Sequence, residues 1–248
     1  MNKIALLIGN SDGLPGVEKD LNDWKNFLVS PVGGAWDESN EIVSFMNPSK
    51  TLLLDYIKEF ERLFDFAIVV YSGHGGHNRK KTILEINKKG EEIEETDLIG
   101  ISPRQISIFD CCRAAVTEDS TSLYESRNLY SIKGISYNLD KIRQAYEQKI
   151  EQAIEQQICL YACDIGETAL DTKAGGLYTQ TLLKEAKSFP DNEDFRAAAD
   201  IHTEAAKKTF LKAIKFKHNQ NPTARLPRCL SSQRLILSIN PEMYKFYV

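Results

Sequence analysis

The 248-residue chain lacks three features that would each place it in a broad class of protein. It has no apolar run long enough to cross a bilayer, so we expect no membrane-spanning segment. It has no excess of positive charge, because 31 lysines and arginines stand against 35 acidic residues, which argues against a direct nucleic-acid ligand. Its first apolar run, residues 4–8, is too short for a secretory signal.

Cysteine is infrequent as well. The five cysteines are odd in number and form no regular disulfide framework, so a reducing compartment suits the chain and we expect a cytoplasmic protein. The sequence has no internal repeat and no low-complexity linker. With 42% hydrophobic residues it can supply one full core, and we expect a single domain over residues 1–248.

Short apolar runs alternate with segments of helical spacing. The runs are continuously hydrophobic, which indicates strands covered on both faces and hence a largely parallel sheet between helices. We predict an α/β fold, a three-layer α/β/α sandwich with a mostly parallel six-stranded sheet. The predicted strands cover residues 4–8, 42–46, 66–71, 106–109, 158–162 and 235–239. Helical spacing extends over residues 17–28, 53–64, 139–157 and 196–217.

Two regions interrupt this alternation. Residues 82–95 predict a small β-hairpin insertion, because two β-capable stretches flank a turn that contains glycine. Residues 117–134 are rich in serine, acidic residues and asparagine and have no helical period, so they predict an exposed loop.

An imidazole and a thiol follow two of the predicted strands. Tyr-Ser-Gly-His-Gly-Gly occupies residues 71–76, and Asp-Cys-Cys-Arg-Ala occupies residues 110–114. The carboxyl ends of parallel strands are where ligand chemistry is placed. A free thiol is mostly protonated at neutral pH, and a nearby imidazole raises its reactive fraction. The pattern predicts a cysteine nucleophile with His74 as its base.

These two segments, together with Leu-Pro-Gly-Val-Glu-Lys-Asp at residues 14–20, resemble the caspase-like cysteine peptidases, the superfamily of caspases, metacaspases and bacterial relatives. Caspases place the histidine about 50 residues before the nucleophile, whereas Cys112 follows His74 by 38 residues. The resemblance makes Cys112 the nucleophile and implies a dyad. It also implies a p20-like part at about 1–116, an exposed linker at about 117–135 and a p10-like part at about 136–248.

The glycines around His74 allow the backbone of a substrate to approach closely. We expect the Gly75 N–H, together with the Cys112 N–H, to face a developing oxyanion.

The resemblance also bears on the substrate. Caspases bind an aspartate before the scissile bond through arginines and a glutamine, whereas Leu14 and Asp110 stand at two of those positions here. Metacaspases use two aspartates and a serine, which Asp20, Asp110 and Ser72 match. Desolvated carboxylates favour a guanidinium or an ammonium group. We expect protein or peptide substrates cleaved after Arg or Lys; the alternative is that Asp20 lies on the solvated side of its helix.

Two later stretches, residues 161–170 and 175–183, resemble the second conserved block of the family. Cys163 and Asp164 are therefore candidate substrate-binding residues. The predicted loop after the nucleophile contains Arg127 and Lys133, which a protease of this specificity could cut in self-processing.

No metal site is expected. Residues 74, 77, 111 and 112 have the ligand types for zinc but not a closed four-ligand spacing. Several metacaspases need calcium, but the acidic segment 91–97 lacks the spacing of a calcium loop, so we expect no cofactor. His202 and His218 lie in or beside a lysine-rich helix and are expected to face solvent.

The resemblance implies a regulated intracellular endopeptidase of a stress, defence or cell-death pathway, with a possible activating partner protein. Two other functions remain open, a catalytically silent adaptor of the same fold and a non-peptidase cysteine hydrolase. Monomer and homodimer also remain open, because caspases dimerise through their last strand and metacaspases generally act alone.

Overall fold

A computed structural model describes residues 1–60, 63–78, 80–114, 136–190 and 193–246. The helices are α1 (Val17–Val29), α2 (Glu38–Glu41), α3 (Lys50–Phe60), α4 (Leu139–Gln152), α5 (Leu177–Ala186) and α6 (Ala198–Lys215). The strands are β1 (Lys3–Gly9), β2 (Ile42–Met46), β3 (Phe66–Ser72), β4 (Gly75–His77), β5 (Thr82–Glu85), β6 (Glu92–Glu94), β7 (Arg104–Asp110), β8 (Ser136–Tyr137), β9 (Gln156–Tyr161), β10 (Phe195–Ala197), β11 (Thr223–Arg225), β12 (Ile236–Ile239) and β13 (Lys245–Phe246). None of the helices in these ranges is long and apolar enough to cross a membrane.

Six strands form a central sheet in the order β11-β9-β7-β3-β1-β2. Every neighbouring pair is parallel except β11 and β9, which are antiparallel. Every residue of β1 and β3 is buried, as expected for strands that are covered on both faces. The predicted α/β fold with a mostly parallel six-stranded sheet is confirmed.

The identity of the sixth strand was predicted wrongly. Residues 235–239 were expected in the central sheet, but β12 pairs antiparallel with β10 in a separate two-stranded sheet. The edge of the central sheet is β11 instead. β11 has only three residues, none of them buried, which are too few positions to produce a recognisable hydrophobic pattern, whereas β12 is fully buried and does produce one.

Alternating side chains of the strands build two cores, one on each face of the sheet. Leu7 and Val70 face a core completed by α1, α4, α5 and α6. Leu6 and Val69, their neighbours in sequence, face the second core, which α3 and the small sheet of β4, β5 and β6 cover. The sheet is therefore the middle layer of three.

The predicted hairpin is confirmed as β5 and β6. It also carries β4, which pairs antiparallel with β5 and begins directly after His74. The small sheet therefore fixes the backbone that follows the histidine. The predicted helix at residues 139–157 ends earlier, at Gln152, because residues 156–161 form β9. Residues 117–134, predicted as an exposed loop, lie outside the described residues.

Candidate active site

The loops that carry His74 and Cys112 begin side by side. The last residues of β3 and β7, Ser72 and Asp110, are partners in the parallel register. The Gly73 N–H then donates to the carbonyl of Asp110 at 3.1 Å, which ties the two loops together. As a result, His74 and Cys112 line one cleft at the carboxyl edge of the sheet.

The backbone around His74 determines which ring nitrogen carries a proton. His74 Nε2 lies 2.5 Å from the carbonyl oxygen of Asp12. A carbonyl can only accept a hydrogen bond, so Nε2 carries the hydrogen and Nδ1 of the neutral ring keeps its lone pair. The buried hydroxyl of Tyr71 lies 2.6 Å from the carbonyl of His74 and 2.5 Å from that of Glu85, which anchors the loop. The contact thus makes Nδ1 the ring nitrogen that is available as a proton acceptor.

The two adjacent cysteines differ in accessibility. Cys111 is 2% exposed, and its Sγ would lie 2.8 Å from a Cβ added to Gly75. Cys112 is only partly buried, and its Sγ lies 3.8 Å from the carbonyl of Ala169. Burial raises the pKa of both thiols, that of Cys111 well above its ordinary value. Cys112 is therefore the more accessible thiol, and it needs a base to form the thiolate.

Arg113 fastens the cysteine loop to the rest of the fold. Its buried guanidinium donates to Thr82 Oγ1 at 3.1 Å and lies 4.1 Å from the centre of the Tyr161 ring. Its backbone N–H donates to the carbonyl of Glu167 at 2.9 Å. The arginine that marks the sequence motif is thus a structural residue of the loop.

The Gly75 N–H points towards the cysteine loop. The Glu85 N–H donates to the His74 carbonyl, so His74 and Glu85 form a hydrogen-bonded pair of the antiparallel ladder. Hydrogen-bonded and non-hydrogen-bonded pairs alternate along such a ladder, so the next pair, Gly75 and Leu84, is a non-hydrogen-bonded one. The Gly75 N–H therefore faces away from β5, on the same side as the His77 N–H, which donates to the carbonyl of Ala114. This direction suits the predicted oxyanion role of Gly75.

Asp20, Ser72 and Asp110 come together beneath the N-terminus of α5. Ser72 Oγ donates to Asp20 Oδ2 at 2.9 Å, and the Gly176 N–H lies 3.0 Å from each Asp20 oxygen. The backbone N–H and the hydroxyl of Thr179 both donate to Asp110 Oδ2. The alternative that placed Asp20 on a solvated helix face is wrong, because Asp20 is 0% exposed.

These carboxyl groups are held where negative charge is costly. Burial raises the pKa of Asp110 to about 6. It raises the pKa of Asp20 well above its ordinary value, and the neighbouring Asp110 raises it further. The N-terminus of α5 favours the ionised forms but does not offset the loss of hydration. A positively charged ligand would relieve this cost.

Asp171 is a residue of the cleft that the sequence analysis missed. It lines the cleft with the other two aspartates, and its Oδ2 accepts the Gly16 N–H at 3.0 Å. Burial raises the pKa of Asp171, and the nearby His74 opposes that rise. Asp171 lies between the two stretches of residues 161–183 that carry the resemblance, and no spacing pattern distinguishes it.

Two predicted substrate-binding residues lie outside the lining of the cleft. Cys163 is fully buried behind the cysteine loop, with its Sγ 3.4 Å from the carbonyl of Cys111. Asp164 is exposed and accepts a hydrogen bond from the N–H of Ile165. The structure gives no support for a substrate-binding role of either residue. Arg127 and Lys133 lie outside the described residues.

The expectation that two histidines face solvent was wrong. His202 is buried, with its Nδ1 2.7 Å from the Tyr178 hydroxyl, and burial lowers its pKa to about 4. His218 is partly buried, and its Nε2 lies 2.8 Å from the Thr168 carbonyl. Within the described ranges, no group of three or more His, Cys, Asp or Glu residues is arranged to hold a metal ion.

Comparisons with known proteins agree with this architecture. The sequence profile of the family described as the caspase domain of peptidase C14 matches residues 2–229, which confirms the resemblance noted in the sequence. The crystal structure of caspase-1 from Spodoptera frugiperda superposes with a TM-score of 0.57 at 12% identity, covering 91% of this chain and 86% of that one. A structural-genomics protein from Geobacter sulfurreducens superposes with a TM-score of 0.59 at 14% identity, covering 97% and 98%. At such identities the two structures establish the fold alone. No curated protein sequence matches this chain.

Proposed function

Because this chain belongs to the caspase family of peptidases, we propose that it is an active cysteine endopeptidase that cleaves protein substrates after arginine or lysine. The observation that carries the proposal is the composition of the cleft. A partly exposed thiol, an imidazole with a defined tautomer and buried carboxyl groups all line the same cleft.

The proposed reaction has two steps. In the first, Cys112 Sγ attacks the scissile carbonyl carbon and its proton passes to Nδ1 of His74. The Gly75 and Cys112 N–H groups stabilise the oxyanion, and the leaving amine takes the proton back from His74 as the C–N bond breaks. In the second, His74 removes a proton from water, which attacks the thioester and releases the acid with the free thiol.

The specificity follows from the charge of the pocket. Asp20 and Asp110 offer two carboxyl groups in a desolvated part of the cleft that also contains Cys112, with Ser72 hydrogen-bonded to Asp20. A guanidinium or ammonium group gains a charge-assisted hydrogen bond there, whereas a carboxylate would add a further acidic group to a site that is already acidic.

A panel of fluorogenic peptides that differ only in the residue before the scissile bond tests this proposal. We expect the arginine peptide to be cleaved fastest, the lysine peptide next, and the isosteric but neutral citrulline peptide about 100-fold more slowly, since a charged hydrogen bond contributes up to about 3 kcal/mol. Turnover of the aspartate peptide alone would overturn the specificity. Turnover of none of the four peptides, with a thiol-reactive peptide also failing to label Cys112, would favour the silent adaptor.

The preference for arginine over citrulline should depend on pH. Asp110 has a pKa of about 6, so its charge is present above pH 6 and is lost as the pH falls below it. We expect the ratio of kcat/KM values for the two peptides to be highest at pH 7.5 and to fall about tenfold by pH 5, following one protonation. Taking the ratio cancels the titration of the dyad, which both peptides share. A ratio that stays constant from pH 5 to pH 8 would contradict the role of Asp110.

A further inference from the structure

The oxygens of Asp20 are already occupied by donors from the protein. The Gly176 N–H contacts both, Gln180 Nε2 donates to Oδ1 at 3.1 Å, and Ser72 Oγ donates to Oδ2 at 2.9 Å. A carboxylate has about four lone-pair sites, so these contacts fill it. Because Asp20 is also 0% exposed, it can attract a substrate cation by its charge but has no free oxygen to contact it.

Asp110 retains one oxygen for a ligand. Its Oδ2 accepts both hydrogen bonds from Thr179, at 2.9 and 2.6 Å. Its Oδ1 accepts no hydrogen bond from any residue in the described part of the chain. Asp110 is only 6% exposed, and what is exposed opens into the cleft. A buried acceptor of this kind, facing a cavity, is a contact point for a donor on the ligand.

One free oxygen does not satisfy a guanidinium, which carries five N–H donors. Asp171 is the third carboxylate that lines the cleft, together with Asp20 and Asp110. The Gly16 N–H holds Asp171 through Oδ2. Gly16 is required for this approach, since a Cβ there would come within 2.0 Å of Asp171 Oδ1.

Resting on the function proposed above, we propose that Asp171 is a specificity-determining residue that binds the substrate cation together with Asp110, while Asp20 contributes only its charge. The cation would lie between a carboxylate at the end of β7 and a carboxylate of the loop that precedes α5.

The test is Asp171→Asn, which keeps an acceptor for the Gly16 N–H but removes the charge. We expect the ratio of kcat/KM for the arginine peptide over the citrulline peptide to fall about 10- to 100-fold, chiefly through KM, as a charged contact becomes a neutral one. Asp55→Asn, an exposed residue of α3 outside the cleft, removes the same charge and should leave the ratio unchanged. A ratio in Asp171→Asn within twofold of the unaltered enzyme would overturn the proposal.

Binding to the Cys112→Ala protein separates this inference from the proposed activity. Isothermal titration with a tetrapeptide amide that ends in arginine, and with its citrulline counterpart, measures the cation contact without turnover. Suppose that the unaltered enzyme cleaves no peptide, while Asp171→Asn in the Cys112→Ala protein still weakens arginine-peptide binding about tenfold. That result would contradict the proposed peptidase activity but support the proposed role of Asp171. If the arginine peptide is cleaved but binds equally well with or without the Asp171 charge, or fails to bind more tightly than the citrulline peptide, the inference falls.

Discussion

Replacing Cys112 with alanine is expected to lower kcat/KM for an arginine peptide by about 10⁴-fold or more, because it removes the atom that forms the covalent intermediate. Cys111→Ala should keep activity within about fivefold, since Cys111 is buried and its pKa is raised well above the ordinary value. The cost of Cys111→Ala should instead appear in stability, at about 1–2 kcal/mol for a small core side chain.

The two variants are matched because they remove the same thiol from adjacent positions. Activity is measured with the arginine peptide, and stability by urea unfolding followed by circular dichroism. Circular dichroism of Cys112→Ala should match that of the unaltered protein, which separates lost chemistry from lost folding. Full activity of Cys112→Ala together with an inactive but folded Cys111→Ala would show that the nucleophile had been assigned to the wrong cysteine.

Replacing Gly176 with alanine is expected to disrupt the acidic pocket. A Cβ at this position would lie 2.4 Å from Asp110 Oδ2 and 3.1 Å from Asp20 Oδ2. The backbone of Gly176, at φ −58° and ψ 134°, is open to any residue, so the cost is purely steric. We expect a loss of about 2–4 kcal/mol in the free energy of unfolding, as for overpacked or disrupted buried sites, and a fall of about 100-fold or more in kcat/KM for arginine peptides.

Gly90→Ala is the control for this prediction. Gly90 has φ +72° but no atom within 4 Å of an added Cβ, so its variant has backbone strain without a clash. It should lose about 1 kcal/mol of stability and keep its activity, because it lies in the turn of the hairpin. If Gly176→Ala behaved like Gly90→Ala in both urea unfolding and peptide turnover, the tight packing of α5 against the two aspartates would be contradicted.

The sequence predicts most of the fold because most strands of the central sheet are continuous apolar runs, which are recognisable from a few consecutive residues. The burial of Asp20 was also visible in principle, since Asp20 follows Val17 by three residues and precedes Trp24 by four, which places all three on one helical face. The edge strand β11 could not be seen in this way. None of its three residues is buried, and its pairing with β9 joins residues more than 60 positions apart.

The residues of the candidate site also fall into two groups, those with a local sequence signal and those without one. His74 and Cys112 are marked by local motifs directly after strands, so topology alone brings them to one edge of the sheet. Asp171 and the carbonyl of Asp12 have no local signal. Their roles come from distant contacts, with Gly16 and with His74, that depend on how loops from several strands fold over the cleft. Such contacts follow from tertiary packing, and the sequence pattern of either residue does not reveal them.

The most direct test of the account is the rate at which iodoacetamide alkylates Cys112 at pH 7, followed by peptide mass mapping, in the unaltered protein and in His74→Gln. If His74 is the base, Cys112 should be alkylated before Cys111, and His74→Gln should slow its alkylation about 100-fold or more, in the range that a positioned general base contributes. Alkylation of Cys111 first, or a Cys112 rate that does not change in His74→Gln, would contradict the pairing of thiol and imidazole.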